Sequence, residues 1–459
     1  MYQIDFKNPG RIHFIGIGGI SMSGLAEILL EWGFTVSGSD SRESELTDRL
    51  EQRGAQIAYG QRAENITDGI DVAVYTAAVH PDNPEYAEAV RREVPLLTRA
   101  QLLGQVMQNY QQAVAVSGTH GKTTTTSMIA EILMAAGDDP TISVGGILPS
   151  IGGNIRVGGP ELFVTEACEY TNSFLSFYPT MEVILNIEAD HLDFFKDISD
   201  IRHSFRLFAE RLPENGLLII SSDIKNYEEI AGGLSCRVIT VGKSPDSDYS
   251  AADITYDELA RPSFTLLVKG EPAERISLGV PGEHNVYNAL AAIAVSRAVG
   301  VSEKAMTEGL SRFTGTNRRF EKKGVIGGVT IIDDYAHHPQ EIAATLAAAH
   351  NYPHRKLWCV FQPHTYTRTR AFLDEFAQAL SAADEVILAD IYAARETDTL
   401  GISSRDIAER IEKLGKKATY LPTFDEIETF ILENCSPGDL LITMGAGDIV
   451  KVGERLLGM

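Results

Sequence analysis

The segment GTHGKTT, residues 118–124, carries the clearest chemistry in the chain, because it follows the strand pattern AVAVS and opens a helical pattern. Its glycines let backbone N–H groups close around phosphate oxygens, and the helix N-terminus adds a positive dipole. Lys122 would neutralise β- and γ-phosphate charge, and the Thr123 hydroxyl would bind Mg²⁺. Because only two residues separate the glycines, the loop is shorter than the standard phosphate loop. The pattern predicts ATP binding by Gly118, Thr119, Gly121, Lys122, Thr123 and Thr124.

Two further candidate metal ligands follow later strand patterns. Glu166 ends the pattern LFVTE, and His191 follows VILNIEAD. The carboxyl ends of parallel strands meet at one edge of a sheet, so both side chains are expected near the phosphate loop. There they could hold two Mg²⁺ ions, one on the phosphates and one toward an acceptor carboxylate, although Mg²⁺ usually prefers oxygen ligands. Glu169, Glu188 and Asp190 remain alternatives.

A second glycine loop lies near the start of the chain. Gly16, Gly18 and Gly19 follow a strand pattern, and Asp40 ends the next strand pattern. Ser21 stands where a dinucleotide fingerprint requires glycine or alanine, so binding of NAD is disfavoured. A pyrophosphate on this helix N-terminus is physically reasonable. Two phosphate-binding units imply two phosphorylated ligands, which suits a transferase or ligase better than a dehydrogenase.

The elements that must position these residues alternate between strand and helix patterns. Such alternation predicts parallel, doubly wound α/β sheets. A length of 459 residues favours about three domains. We expect a Rossmann-like domain over 1–108, a central P-loop ATPase-like domain over 109–320 and a second Rossmann-like domain over 321–459.

Composition excludes several classes of protein. The chain has 63 acidic and 40 basic residues and a net charge of −23, which argues against nucleic acid or an anionic membrane as a partner. The sequence shows neither an apolar run of the ~18 residues that a membrane span needs nor the pattern of a signal peptide, so we expect a cytoplasmic protein. Its cysteines, which are scattered without metal-ligand spacing, are expected to be buried apolar residues: Cys168, Cys236, Cys359 and Cys435.

Eight segments, in order along nearly the whole chain, resemble the Mur ligases: GIGGISMSGLAEIL, SGSD, GTHGKTTTT, NIEADHLDFF, GEHNVYNALAAIA, TNRRFE, DDYAHHPQEI and FQPHTYTRTRAF. The first segment and DDYAHHP resemble the branch that adds L-alanine. The resemblance implies an ATP-dependent ligase in which ATP phosphorylates the carboxylate of UDP-N-acetylmuramate. The amine of L-alanine would then attack the acyl phosphate. The UDP-sugar would bind the first domain at Gly16, Gly18, Gly19, Ser21 and Asp40.

The resemblance also implies how ATP is bound beyond the phosphate loop. His284, Asn285 and Asn288 match the family's adenine-binding segment. Arg319 would reach the γ-phosphate from the domain junction, and Asp334 would meet the ribose. The segment TNRRFEKKG, residues 316–324, would then be the hinge about which the third domain closes and excludes water.

The amino acid would be bound by the third domain. Tyr335, His338 and Arg368 match residues that face the amino-acid site in relatives, and an arginine offers a bidentate fork to a carboxylate. Thr365 stands where some relatives carry another arginine, so Arg370 is a second candidate for the carboxylate. His338 is also the candidate general base that accepts a proton from the ammonium group.

Two departures from the family pattern and three rival interpretations complete the prediction. The acidic segment E-A-D-E-S-D of relatives reads EACEYT at residues 166–171, which leaves Glu166 as the favoured metal ligand. Phe205 stands where other branches carry a modified lysine, and this favours the alanine-adding branch. The nearest rival is a ligase that attaches a recycled tripeptide to the same UDP-sugar. A non-catalytic nucleotide-sugar sensor is a rival of another class, and a plain P-loop kinase is disfavoured.

Overall fold

The computed structural model describes residues 1–76, 78–394 and 396–459. Its first unit contains the strands β1 (Arg11–Ile15), β2 (Thr35–Asp40), β3 (Gln56–Tyr59), β4 (Val72–Tyr75) and β5 (Leu96–Thr98). They form one parallel sheet in the order β3-β2-β1-β4-β5. The helices are α1 (Ile20–Glu31), α2 (Glu45–Gln52), α3 (Pro84–Arg91) and α4 (Arg99–Met107), with a three-ten turn at Ala63–Asn65. As predicted, the glycine loop joins β1 to α1.

The central unit is built on a ten-stranded sheet. Its strands are β6 (Gln112–Ser117), β7 (Thr141–Leu148), β8 (Gly153–Arg156), β9 (Leu162–Glu166), β10 (Met181–Ile184), β11 (Leu217–Ser221), β12 (Arg237–Val241), β13 (Tyr249–Tyr256), β14 (Pro262–Val268) and β15 (Glu271–Ser277). They are ordered β15-β14-β13-β12-β11-β10-β6-β9-β7-β8, and the phosphate-loop strand β6 lies between β10 and β9. This order explains why the ends of β9 and β10 reach the phosphate loop.

The helices of the central unit cover both faces of its sheet. They are α5 (Lys122–Ala136), α6 (Ile198–Ala209), α7 (Glu228–Ala231), α8 (His284–Ala298) and α9 (Glu303–Arg312), with three-ten segments at Pro149–Ile151 and Tyr170–Ser176. Val183 of β10 packs in the same apolar cluster as α5 and α8. Ile184, the next residue, packs with Phe205 and Phe208 of α6. Alternate residues of one strand therefore enter different layers, as the strand period of two requires.

The third unit has a six-stranded sheet. Its strands are β16 (Glu321–Ile326), β17 (Val329–Asp334), β18 (Leu357–Phe361), β19 (Glu385–Leu388), β20 (Ala418–Tyr420) and β21 (Leu440–Met444), in the order β16-β17-β21-β18-β19-β20. Its helices are α10 (Pro339–His350), α11 (Tyr366–Ala371), α12 (Leu373–Leu380), α13 (Ser404–Lys413), α14 (Phe424–Asn434) and α15 (Val450–Leu457). The edge strand β16 is antiparallel to β17. It begins at Glu321, so residues 321–324 of the predicted hinge belong to the sheet of the third unit.

The first and central units share one apolar core, whereas the third unit has its own apolar clusters. Trp32 of the first unit packs on Tyr110 at a ring separation of 5.7 Å, and Tyr110 packs on Phe163 of β9 at 4.9 Å. Gly104 of α4 approaches the central unit so closely that a Cβ there would lie 1.9 Å from the carbonyl oxygen of Ser176. At this position the backbones of the first and central units are in direct contact. We keep residues 108 and 320 as the proposed domain boundaries.

Among the helices of the described residues, none is both long enough and apolar enough to cross a bilayer.

Candidate active site

The phosphate loop has the geometry that its sequence predicts. Gly121, immediately before α5, has φ +82°, a left-handed conformation that glycine adopts without strain. The Lys122 ammonium lies 3.1 Å from the carbonyl oxygen of Thr119 and 3.2 Å from Oε2 of Glu169. Burial alone would lower the pKa of Lys122, but the neighbouring acidic groups, Glu169 first among them, together outweigh burial and raise the pKa above its ordinary value. Lys122 is therefore a permanent positive charge at the helix N-terminus.

A cavity of about 480 Å³ lies where the three units meet. Ile20 of the first unit lines it, with residues of the central and third units. Most of the predicted phosphate and metal residues surround this one space, namely Thr119, Gly121, Lys122, Thr123, Glu166, His191 and Arg319, together with Tyr335. Gly118 supports the loop from behind, since a Cβ there would lie 3.1 Å from the Leu185 side chain.

Glu166 has the environment of a cation ligand. Its carboxylate accepts a hydrogen bond from the amide of Gly145 and faces the Thr123 hydroxyl. Burial raises its pKa above the usual value, and the hydrogen bonds to Gly145 and Thr123 offset this only in part. A partly buried carboxylate beside a hydroxyl is a donor set that suits Mg²⁺. The residues present therefore fit the ion that the sequence predicts.

His191 also lines the larger cavity, and two neighbouring residues hold it in place. Its φ of +52° is unusual for histidine, and its ring stacks on Tyr170 at a centroid distance of 4.5 Å. Nε2 lies 3.8 Å from Oδ2 of Asp190. Burial lowers the pKa of His191, which favours the neutral imidazole that can bind a metal ion.

A second cavity, of about 360 Å³, adjoins the first. It is lined by most of the residues predicted to hold the nucleotide: Gly121, Thr124, His284, Asn285, Asn288, Arg319 and Asp334. The two asparagines are ordered by hydrogen bonds, from Asn288 to Oδ1 of Asn285 at 2.9 Å and from Asn285 to the carbonyl oxygen of Pro281 at 2.7 Å. Burial lowers the pKa of His284 to about 4, so its ring is neutral near pH 7. The cavity thus offers neutral polar side chains together with apolar ones, such as Val280 and Phe313.

Arg319 lines both cavities, whereas its neighbour Arg318 lines only the larger one. The Arg319 guanidinium lies 5.3 Å from the centroid of the Tyr335 ring and 3.8 Å from Oε1 of Glu341. Arg318 is tied into the third unit by Asp333, with Nε 2.9 Å from Oδ2. The adjacent arginines therefore have different roles, since Arg319 can reach a ligand in either cavity and Arg318 joins the central unit to the third.

Asp334 is the last residue of β17 and lies where the third unit faces the smaller cavity. Its carboxylate accepts the amides of Ala336 and Phe320, both at 2.8 Å. Burial raises its pKa to about 6. It lines the smaller cavity beside Arg319, as the predicted ribose contact requires.

Arg368 of α11 points back into the central unit. Its Nη2 and Nε lie 2.9 and 3.2 Å from Oδ1 of Asp190, and its Nη1 lies 3.2 Å from Nδ1 of His364. Burial alone would raise the pKa of Asp190, but Arg368 holds it well below its usual range. Arg370, two residues further along the same helix, is exposed. The structure therefore does not bring Arg370 and Arg368 together, because residues two apart on a helix point to nearly opposite sides.

The adjacent histidines His337 and His338 have different surroundings, which the sequence did not predict. His337 lines the larger cavity, and its Nδ1 lies 3.0 Å from the carbonyl oxygen of Tyr335. The side chain of His338, the predicted base, is buried and packs on His120 at a ring distance of 4.7 Å. Its Nε2 lies 3.3 Å from the carbonyl oxygen of Ala189. The geometry thus favours His337 over His338 as the residue that faces a substrate.

In the first unit, the glycine loop is held by the residue that ends β2. The amide of Gly18 donates to Oδ2 of Asp40 at 2.8 Å, so the Asp40 carboxylate fixes the loop. Ser21, in the first turn of α1, accepts a hydrogen bond from Nη1 of Arg99 at 3.0 Å. Burial lowers the pKa of Arg99, although arginine stays charged at neutral pH. The structure thus adds a cation to the predicted UDP-sugar loop, whose remaining members are Gly16 and Gly19.

Sequence reasoning missed several residues that the structure brings to the site. Glu341 accepts the amides of His337 and His338 at 3.0 and 3.3 Å, an N-terminal capping arrangement that the spacing HHPQE could have indicated. Its approach to His120 of the phosphate loop, with Nδ1 and Oε1 3.2 Å apart, depends on the packing of two units. Cys168 lines the larger cavity and, like Cys435, is only partly buried, so the prediction that the cysteines are buried is wrong for these two.

Comparisons with known proteins place these observations in a family. The model of the Mur ligase family catalytic domain matches residues 11–111, that of the Mur ligase middle domain residues 116–296, and that of the Mur ligase glutamate ligase domain residues 318–447. The UDP-N-acetylmuramate–L-alanine ligase of Lachnospira eligens is 64% identical over 458 residues, covering 100% of both chains. The enzyme of the same name from Agathobacter rectalis is 61% identical, with 100% of both chains covered. The crystal structure of UDP-N-acetylmuramate-alanine ligase from Thermotoga maritima superposes with a TM-score of 0.81 at 30% identity over 98% of each chain.

Proposed function

The chain belongs to the Mur ligase family, and from this premise we propose that it joins L-alanine to the carboxylate of UDP-N-acetylmuramate at the expense of ATP. The reaction would supply a precursor of peptidoglycan. The chain is an ATP-dependent ligase, and its substrates are small molecules. Because ATP and a nucleotide sugar are substrates of cytoplasmic pathways, we place the reaction in the bacterial cytoplasm.

One observation carries this proposal beyond family membership. The cavity of about 480 Å³ is lined at once by Ile20 of the first unit, Lys122 of the phosphate loop and His337 of the third unit. A ligase that activates one substrate and then adds another needs such a meeting point, because the acyl phosphate must meet the amine before water does. A kinase or a nucleotide sensor would not need a cavity that is lined by residues of three units.

In the first step, a carboxylate oxygen of the UDP-sugar would attack the γ-phosphorus of ATP, and the bond to the ADP oxygen would break. Lys122 and Arg319 would stabilise the charge that moves to the bridging and γ-oxygens. Mg²⁺, when bound, would supply further charge neutralisation and alignment of the phosphates. Thr123, Glu166 and His191 are the residues that would hold it, with two ions proposed.

The adenosine part of ATP would occupy the smaller cavity. His284, Asn285 and Asn288 would surround the base, and Asp334 would accept from a ribose hydroxyl. Thr124 and Gly121 line the same cavity and continue the phosphate-binding backbone toward Lys122. The UDP-sugar would lie on the first unit, with its pyrophosphate at the loop that Asp40 holds and Arg99 flanks.

In the second step, the amine of L-alanine would attack the acyl carbon, and phosphate would leave. Because Asp190 occupies the Nε and Nη2 side of Arg368, the alanine carboxylate would bind the remaining Nη1, beside His364. We propose His337 as the proton acceptor in place of His338. Its Nδ1–H donates to the carbonyl oxygen of Tyr335, which leaves a lone pair on Nε2.

The decisive experiment measures phosphate release from ATP with Mg²⁺ and UDP-N-acetylmuramate, comparing L-alanine, glycine, L-serine and the murein tripeptide. We expect release with L-alanine, and the corresponding amide product by mass spectrometry. Release with the tripeptide alone would assign the chain to the recycling branch, and no release with any acceptor would support a sensor. Lys122→Met should abolish the signal, and Lys225→Met, which changes an exposed lysine, should not.

A further inference from the structure

A cluster of two imidazoles and a carboxylate lies at the seam between the central and third units. One potential ligand atom from each of His120, Glu188 and His338 lies within 4.8 Å of the other two. His120 belongs to the phosphate loop, Glu188 follows β10, and His338 precedes α10. His120 and Glu188 also line the smaller cavity. The cluster therefore exists only because the third unit is packed against the central one.

The orientation of His120 is that of a metal ligand. Its Nδ1 lies 3.2 Å from Oε1 of Glu341, so the tautomer that donates to this carboxylate carries its lone pair on Nε2. That Nε2 atom is buried and has no hydrogen-bond partner among the described residues. A carboxylate behind a histidine commonly orients metal-binding imidazoles. In this neutral tautomer a cation would satisfy the Nε2 lone pair, whereas a phosphate oxygen, which is also an acceptor, would not.

Glu188 and His338, the other two members of the cluster, lie at distances close to those between the ligands of one metal ion. The ring of His338 lies 4.7 Å from that of His120, and its Nε2 lies 3.3 Å from the carbonyl oxygen of Ala189. Ligands of a four-coordinate zinc ion lie about 3.4 Å apart, given bond lengths near 2.1 Å. Small side-chain rotations would bring the cluster to that spacing. In the structure the Nδ1 of His338 accepts the Gln340 amide at 3.4 Å and its Nε2–H donates to Ala189, so binding of the ion would require this ring to rotate or to move its proton.

We propose that His120, Glu188 and His338 bind a divalent transition-metal ion of the zinc type. Two imidazoles and one carboxylate favour such an ion over Mg²⁺, which prefers oxygen ligands. The site is separate from the proposed Mg²⁺ ligands, and the ion would join the central unit to the third. This inference concerns metal binding alone and does not depend on which amino acid the enzyme uses.

The number of imidazoles around a bound ion tests the proposal directly. The full-length chain, saturated with Mg²⁺, would be loaded with one equivalent of Zn²⁺ and studied by X-ray absorption spectroscopy. We expect scattering from two imidazoles. One imidazole would overturn the proposal, because the set Thr123, Glu166 and His191 contains a single histidine, and so would the absence of any.

Substitutions then assign the ligands. Co²⁺ would be titrated into the Mg²⁺-saturated chain and followed by its visible d–d absorption. We expect His120→Gln, Glu188→Gln and His338→Gln each to weaken Co²⁺ binding at least ~10-fold, and Glu341→Gln to weaken it ~10- to 100-fold. His350→Gln changes an exposed histidine at the other end of α10 and should leave the affinity unchanged. If Glu166→Gln or His191→Gln weakens binding and Glu188→Gln does not, the proposal is wrong. Glu188→Gln preserves side-chain shape, so its folding can be verified by circular dichroism.

Discussion

Arg368 of the third unit and Asp190 of the central unit form an ion pair across the seam, with Nη2 2.9 Å from Oδ1. Both side chains are about nine-tenths buried, at 10% and 8% exposure. Asp190 lies next to the proposed metal ligand His191, and Arg368 is the proposed receptor of the amino-acid carboxylate. The pair therefore connects the amino-acid site to the metal site through adjacent residues.

Replacing Arg368 should affect one substrate selectively. We expect Arg368→Lys to raise the KM for L-alanine about 10- to 100-fold, a loss of about 1.4–2.8 kcal/mol, because lysine lacks the planar fork that serves two partners. The KM for ATP should change little. Steady-state kinetics with each substrate varied in turn would measure both. Arg370→Lys, an exposed residue of the same helix, should behave like the unmodified chain, and an equal effect of the two variants would contradict the assignment.

Removing the charge of Glu166 should show whether it binds the activating ion. We expect Glu166→Gln to raise the Mg²⁺ concentration for half-maximal activity at least ~10-fold and to lower kcat ~100-fold or more, because an amide gives a weaker ligand and less stabilisation of the phosphates. Mg²⁺ titration at saturating ATP is the measurement. Glu161→Gln, an exposed residue just before the same strand, is the control. An unchanged Mg²⁺ requirement would transfer the role to Glu169.

Glu182 of β10 should make stability depend on pH. It is fully buried, and both carboxylate oxygens are without hydrogen-bond partners among the described residues. Burial raises its pKa well above the usual value. Above the unfolded pKa, the unfolded chain releases a proton that the folded chain retains, so this residue lowers stability as pH rises.

The corresponding substitution should therefore stabilise the protein. We expect Glu182→Met to increase the free energy of unfolding at pH 7.5 by about 1–3 kcal/mol, since an unsatisfied polar group is removed. The gain should shrink toward pH 4, where both states of the original residue are protonated. Thermal denaturation across this pH range would measure it. Glu214→Met changes an exposed glutamate and should give no such pH-dependent gain.

Gly104 should be intolerant of any side chain. A Cβ at this position would lie 1.9 Å from the carbonyl oxygen of Ser176, a backbone atom that cannot rotate away. We expect Gly104→Ala to lower the free energy of unfolding by about 1–3 kcal/mol through overpacking. Chemical denaturation is the measurement. At Gly153 the nearest atom would be 4.0 Å from the new Cβ, so Gly153→Ala should have a smaller effect, and equal losses would refute the packing argument.

The parts of the site predictable from sequence are those fixed by local geometry. A phosphate loop between strand and helix places Lys122 and Thr123 without further information, and the carboxyl ends of parallel strands bring Glu166 and His191 to the same edge. The parallel sheets themselves follow from alternating patterns. These relations hold whatever the rest of the molecule does.

The remaining parts depend on how separate units pack against each other. The contact of His120 with Glu341 joins residues 221 positions apart. The local sequence around one of them therefore gives no information about the position of the other. The difference between His337 and His338 is a matter of which direction each side chain takes where α10 begins. The separation of Arg370 from Arg368 depends on the helix from Tyr366 to Ala371, which the sequence did not predict.

The chain contains two tryptophans, and they lie in different units of the structure. Trp32 packs on Tyr110 in the core common to the first and central units, whereas Trp358 donates to Asp439 at 3.0 Å inside the third. Intrinsic fluorescence is therefore separable into two reporters. In a Trp358→Phe background, emission would follow the first and central units alone, and in a Trp32→Phe background, the third.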